Sequence, residues 1–400
     1  MDKRIAWGGT AVVLLLLCTG CFGGDPAGQA ANQGASTGGN VSGQPDGTSA
    51  DGVPASAAPA PASGGQTEAD MREALYRFVD GKLSGPYGVY TNLIDTDQAG
   101  TAATGHEVLS ESASLLMRYA VFTGQRELFD AEWSRAKAVF DQQGGFSYRY
   151  SPKQDRRYPV NAAVDDLRMI RALYEAGEAF SDDSYTREAD GFGRRFLEHN
   201  TDGERLYDFY DDQLKLTNKF VTLCYIDLTM LQKLSSVDVS YNKMAKNMED
   251  LLQNGYISDT FPFYQARYNY ETGAYASEHI YTVESLLSIL SLAEAGKEKQ
   301  SSIDYLKQQI EGGALYGEYS MEGKPLNDIQ STAIYAIAAM IGAEVGDKKL
   351  YKDSIGRMNA YRINDPSSPL YGGFGDTGSG QAYSFDNLMA LLAYAYPLKS

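Results

Sequence analysis

Histidine, cysteine and tryptophan are all scarce in this chain of 400 residues: three, three and two. Each scarcity excludes something. His106, His199 and His279 show no His-Glu-x-x-His or comparable spacing, so no metal site is predicted. Cys18 and Cys21 stand near the start, which leaves Cys224 alone in the body of the chain. A disulfide framework and a cysteine-based metal site are therefore excluded. Basic residues are in deficit, 35 against 52 acidic, for a net charge of −17. A nucleic-acid-binding face needs clustered Lys and Arg, so nucleic acid is excluded as a partner, and a strongly anionic substrate is disfavoured. No Gly-rich loop follows a strand-like run, so no nucleotide site and no cofactor is expected. Strand-like alternation is itself rare; residues 146–150 and 261–264 come nearest.

A long hydrophobic run is missing too. The apolar stretch from Ala11 to Leu17 falls well short of the ~20 residues that span a bilayer. Preceded by Lys3 and Arg4, it fits the apolar core of a secretory signal. It ends in Cys18-Thr19-Gly20-Cys21, which resembles a bacterial lipobox and makes Cys21 the expected lipidated residue. The acyl chains would supply the membrane affinity that the remainder lacks. Residues 22–66 are Gly, Ala, Ser, Pro, Asn, Gln and Asp, with almost nothing to bury; a disordered tether is expected there. Such a tether spans on the order of 35–40 Å. The three expected parts are a signal (1–21), the tether (22–66) and one folded domain (67–400) on the extracellular face of the membrane.

What the domain does have is helical periodicity. Apolar helices are predicted to begin near Glu107, Asn161, Thr217, Ser277, Asp328 and Ser384. Their spacing is roughly 55 residues, the length of a helical hairpin with one long loop, and a fixed period signals a repeat architecture. Amphipathic helices lie between them, over 126–140, 185–199, 240–252, 302–310 and 348–360, and another over 71–82 precedes the first. Six apolar and six amphipathic helices fit an all-α (α/α)6 barrel with an apolar inner ring. An open helical solenoid is the second architecture such a repeat allows. In an alternating toroid every inner helix starts at the same end, so the long segments before them meet at one mouth. Those segments hold many of the 29 tyrosines, Tyr148 and Tyr210 among them. Tyrosine combines an apolar face with a hydroxyl, which suits stacking on sugar rings.

The run from Gly105 to Met117 carries Glu107 and Glu111 ahead of an apolar body. Acids in a first helical turn suit the helix dipole, and by that reading Glu107 is an end charge whose loss costs under about 1 kcal/mol. Ser110-Glu111-Ser112, Met117, the break at Gly124, then Phe129-Asp130 and Trp133 resemble the catalytic-acid segment of glycoside hydrolase family 8. Leu115 and Leu116 stand where that family has Tyr-Gly, so the resemblance is to a divergent member. Asp166, Met169 and Ala172-Leu173 match a second family segment, with Asp165 one residue from the family's sugar-holding Asp, whose place Val164 takes. Over the whole domain the chain looks like a family 8-related group of Gram-positive lipoproteins that accompany exopolysaccharide synthesis. The resemblance implies the (α/α)6 toroid and an endo-acting hydrolase.

Glycosidic cleavage needs one carboxyl to protonate the leaving oxygen and another to activate water or attack carbon. The resemblance makes Glu111 the acid, and an apolar setting would raise its pKa and keep it protonated. Glu284, inside an apolar inner helix, is the first candidate for the base, with Asp227 and Glu271 behind it. Asp165, Asp166, Tyr148, Tyr210 and Asp227 are the candidate sugar contacts. The predicted activity is hydrolysis, with inversion, of an exopolysaccharide by a lipid-anchored monomer. Two alternatives remain at this level: an inactive polysaccharide-binding lipoprotein on the same fold, and a lyase or epimerase with a Tyr or His base.

Overall fold

The computed structural model describes residues 66–399. The signal, Cys21 and the tether up to residue 65 lie outside the described residues. Twelve helices appear among those described: α1 Glu68–Lys82, α2 Ser110–Phe122, α3 Arg126–Phe140, α4 Ala163–Ala179, α5 Asp183–Asn200, α6 Leu228–Leu234, α7 Ser240–Asn254, α8 Thr282–Glu294, α9 Gln300–Gly312, α10 Thr332–Glu344, α11 Lys348–Asn359 and α12 Ser384–Ala395.

Their burial separates them into two rings. In α5 the buried residues are Tyr185, Ala189, Gly193, Phe196 and Asn200, a stripe at spacings of three and four that fits one covered face. In α10 every residue from Thr332 to Ala343 is buried, as expected for a helix enclosed on all sides. Helix α2 packs against both α4 and α12, α10 against both α8 and α12, and α8 against α6. The gap between α4 and α8 is filled by a 3-10 turn, Leu223–Tyr225, which touches both. The inner ring therefore closes. Helices α3, α5, α7 and α11 each back the inner helix before them, α1 backs α12, and α9 lies against α11. This is the predicted (α/α)6 barrel.

Inner helices run from the mouth to the far end, where short turns lead to the outer helices. Those turns need a left-handed residue, supplied by Gly124 after α2 (φ 69°) and Gly346 after α10 (φ 69°). At the mouth the long segments fold into strands of two or three residues. Residues 149–151 pair with Val108–Leu109 on one side and Arg156–Arg157 on the other.

The third inner helix departs from expectation. It was predicted to begin near Thr217, but α6 starts at Leu228 and has seven residues. Phe220-Val221-Thr222, aromatic and β-branched, forms a strand paired with Arg267–Asn269, which pairs in turn with Ala274–Ala276. Asp227 then caps α6, accepting from Met230 N at 3.0 Å, so it stands at the helix start rather than within it.

The far end is sealed by charge. Arg118 on α2 donates from Nε to both oxygens of Glu175 on α4, at 3.0 and 3.0 Å, and from Nη2 to Glu294 on α8 at 3.3 Å. Arg171 on α4 reaches Glu175 at 3.0 Å, Asp227 at 3.2 Å and Glu294 at 2.5 Å. Tyr396, just past α12, donates to Glu294 at 2.6 Å and to Glu344 of α10 at 3.0 Å. Each inner helix, or a residue flanking it, enters this network. Charges so buried demand close pairing, which fixes the relative height of the helices.

Candidate active site

The start of α6 lies down at the charged floor with Asp227, and three of the other inner helices share a layout in their first turns. The third residue of α4, α8 and α12 is a carboxyl: Asp165, Glu284 and Asp386. The fourth residue pins the preceding loop. Asp166 accepts from Phe146 N at 3.0 Å, Ser285 from Tyr264 N at 2.9 Å, and Asn387 from Phe374 N at 2.9 Å. Asp166 thus holds its loop as a serine and an asparagine do elsewhere in the ring. Its second oxygen accepts from Asn161 Nδ2 at 2.9 Å.

Glu111 is the second residue of α2. Two backbone contacts place it: Leu109 pairs with Arg149, and Ser110 N donates to Tyr148 O at 3.2 Å. Arg168 lies across from it on α4. A single guanidinium nitrogen, Nη1, donates to Glu111 Oε2 at 3.3 Å and to Asp165 Oδ1 at 3.1 Å. The other oxygen of Asp165 accepts from Ser110 Oγ at 3.0 Å. Two carboxyls therefore share one cation. Burial, and then the charge of Asp165, push Glu111 up to about 7 against the pull of Arg168. A carboxylic acid still protonated near neutral pH is what general acid catalysis requires.

Glu284 occupies the first turn of α8, where burial raises its pKa against the opposing charge of Arg267. Cys224 feels both groups of charge, with Glu284, Asp208, Arg168 and Arg267 all acting on it. Cys224 and Arg168 line one cavity. Burial also pushes the Cys224 thiol well above its usual value, which keeps it neutral and unsuited to nucleophilic attack.

The remaining sequence candidates fall in different places. Tyr148 lies beside the start of α2, its ring edge-on to Tyr158 at 5.8 Å. Tyr210 is on the rim, its ring 4.7 Å from that of His199 and 5.9 Å from the Lys215 ammonium. Asp227 belongs to the charged floor. Glu271 is exposed at the tip of the Arg267–Ala276 hairpin. Glu107 is the clear correction. It is no end charge of α2 but a fully buried partner of Arg149, at 2.7 Å, with both side chains 0% exposed. Sequence reasoning did not assign Arg168 to Glu111 and Asp165. Its spacing of three residues from Asp165 was the available signal. Among the described residues, no three His, Cys, Asp or Glu side chains converge as metal ligands would.

Four buried carboxyls, Glu111, Asp166, Asp208 and Asp386, are pushed up to about 7, in each case chiefly by burial. Their ordinary values are 4.5 for Glu and 3.8 for Asp. Between those values and about 7 the folded state holds protons that the unfolded chain has released. Stability from this source is complete below the ordinary values and falls as pH rises through the window. Burial would raise Glu294 too, but Arg171 and Arg118 outweigh it and hold the carboxyl at about 2, so its contribution is constant above pH 5. Thermal unfolding should therefore give a higher Tm at pH 5 than at pH 8. A Tm that rises over that interval would contradict the assignment of these groups as buried acids.

No protein-family model matches the chain. The Bacillus subtilis (strain 168) protein named "Putative lipoprotein YdaJ" is 27% identical over 293 residues, 71% of this chain and 78% of that one. The fold is shared with a glycoside hydrolase family 8 (GH8) protein of Teredinibacter turnerae, solved with xylobiose: TM-score 0.59, 15% identity, covering 84% of this chain and 94% of the other. A Clostridium perfringens protein described as a novel alpha-amylase aligns with TM-score 0.77 and 34% identity, over 84% of this chain and 99% of that one. The chain belongs to the same family as this Clostridium perfringens protein, and it shares its fold with family 8 glycoside hydrolases. At Leu115, Leu116 and Val164 the chain departs from the family 8 segments that it otherwise resembles. Leu115 and Val164 line the same cavity as Arg168, the partner of Glu111.

Proposed function

We propose that this protein hydrolyses glycosidic bonds in a polysaccharide outside the cell. The observation that carries the reading is the Glu111–Arg168–Asp165 cluster at the mouth of the barrel. Glu111, protonated, gives its proton to the glycosidic oxygen as the bond from that oxygen to the anomeric carbon breaks. Glu284, in the first turn of α8, takes a proton from water, whose oxygen bonds to the anomeric carbon from the opposite face, giving inversion. Asp165 and Tyr148, flanking the start of α2, hold the sugar at the cleavage point. The Clostridium perfringens relative is described as an alpha-amylase, which makes an α-linked glucose polymer one substrate class; the cell's own exopolysaccharide is the other. A lipid on Cys21 anchors the protein, a reading supported by the name of its Bacillus subtilis relative.

The test uses a fragment beginning at Thr67, incubated separately with soluble starch and with exopolysaccharide from the parent cells. New reducing ends should appear with at least one of them. Retention of both polymers on an affinity gel, with no new ends, would replace the hydrolase by a polysaccharide-binding protein.

A further inference from the structure

The inner helices line their shared space with stripes that change character with depth. On α2 the stripe is Glu111, Leu115, Arg118; on α8 it is Glu284, Leu287, Glu294. Acids stand at the mouth, and the charged network closes the far end. Between them is an apolar band that includes Leu115, Ile226, Leu287, Leu290, Met340 and Met389. The band surrounds a cavity of about 70 Å³ that reaches up to Arg168, the residue holding Glu111 and Asp165. The cavity is partly open, so a small group can enter it, and its mostly apolar wall favours an apolar one.

Its chemistry limits what that occupant is. A water needs roughly 10–15 Å³ of such space, so the well admits a group of about three to five heavy atoms, too small for a second sugar ring. The floor charges are bonded to one another, and most of the wall that a small group would meet is apolar. A donor pushed into the band would lose its hydrogen bond to water without replacement, which disfavours an amide N–H and favours an ester. Methionines at 340 and 389 give the wall the adaptability of flexible thioethers.

We propose that this well receives a short ester-linked acyl substituent on the sugar whose glycosidic bond is cut, an assignment that rests on the hydrolase reading. The well thereby selects an O-acylated polysaccharide over its bare backbone. The occupant enters with the substrate from the mouth, because the floor network blocks the far end.

The experiment compares initial rates on exopolysaccharide from the parent cells with rates on the same polymer after mild alkaline removal of its ester-linked acyl groups. The wild-type domain should prefer the acylated polymer by about tenfold or more, the discrimination typical of a small apolar pocket. Leu287→Trp and Met389→Phe each fill the well from a different helix. In whichever of them melts as a folded protein, the ratio of the two rates should fall towards one. Equal wild-type rates on both polymers, or a preference that persists in the folded variants, would overturn the proposal while leaving hydrolysis intact. Cleavage of neither polymer, nor of starch, would remove the hydrolase reading and this assignment with it.

Discussion

Glu111→Gln should leave the barrel folded and lower hydrolysis of an unactivated polysaccharide by roughly 10²–10⁴-fold, the usual worth of a positioned general acid. The amide preserves shape and hydrogen-bonding reach but has no proton to give as the bond breaks. Arg168 and Asp165 still have each other at 3.1 Å, so the local structure keeps its cation paired. The loss should be largest where the leaving group is a sugar hydroxyl. A nitrophenyl glycoside leaves without protonation and should be largely spared. Comparing kcat/KM for both substrate types in the variant and the wild type separates a lost proton from a damaged site, since damage would lower both. Equal losses on the two substrates would contradict the acid assignment.

Glu107→Gln should destabilise the domain by about 3–5 kcal/mol, the range expected when one partner of a buried ion pair is removed. The Arg149 guanidinium would remain buried and charged. Besides Glu107 it donates to Thr101 O at 2.8 Å and Gly100 O at 3.1 Å, and its face lies 4.4 Å from the Tyr158 ring. Glu107 also accepts from Thr104 N at 2.8 Å. The pair therefore ties the mouth loop ahead of α2 to the strand beside Tyr148. Urea unfolding of the variant should show a lower midpoint with an unchanged slope. A loss under about 1 kcal/mol would restore the helix-dipole reading, in which Glu107 is a solvated end charge.

Those two glutamates show where sequence reasoning succeeds and where it stops. They sit four residues apart in one run, and their types and spacing suit the first turns of one helix. The helix actually starts at Ser110, because Val108 and Leu109 are drawn into a strand by Arg149 and Tyr150. A partner 42 residues away leaves no local trace, so the role of Glu107 was not legible. The same reason hides Arg267 beside Glu284, since the hairpin carrying it is shaped by pairing with Phe220–Thr222. It also hides the charged floor, which draws residues from Arg118 to Tyr396. By contrast, the two rings were legible. Apolar periodicity reports directly on which faces a helix must bury, and it located five of the six inner helices to within five residues. The exception, α6, is seven residues long, shorter than a periodicity needs to declare itself.

The account centres on Glu111 as the proton donor of a glycosidase, and the pH dependence of kcat/KM tests that most directly. It should be measured on whichever polysaccharide the wild-type domain cleaves, alongside Glu111→Gln. Burial and the charge of Asp165 place the Glu111 carboxyl at about 7, so wild-type activity should fall as pH rises through that value. The limb should be missing from the residual activity of the variant. Full hydrolysis by Glu111→Gln at neutral pH, or the same alkaline limb in both proteins, would contradict the account.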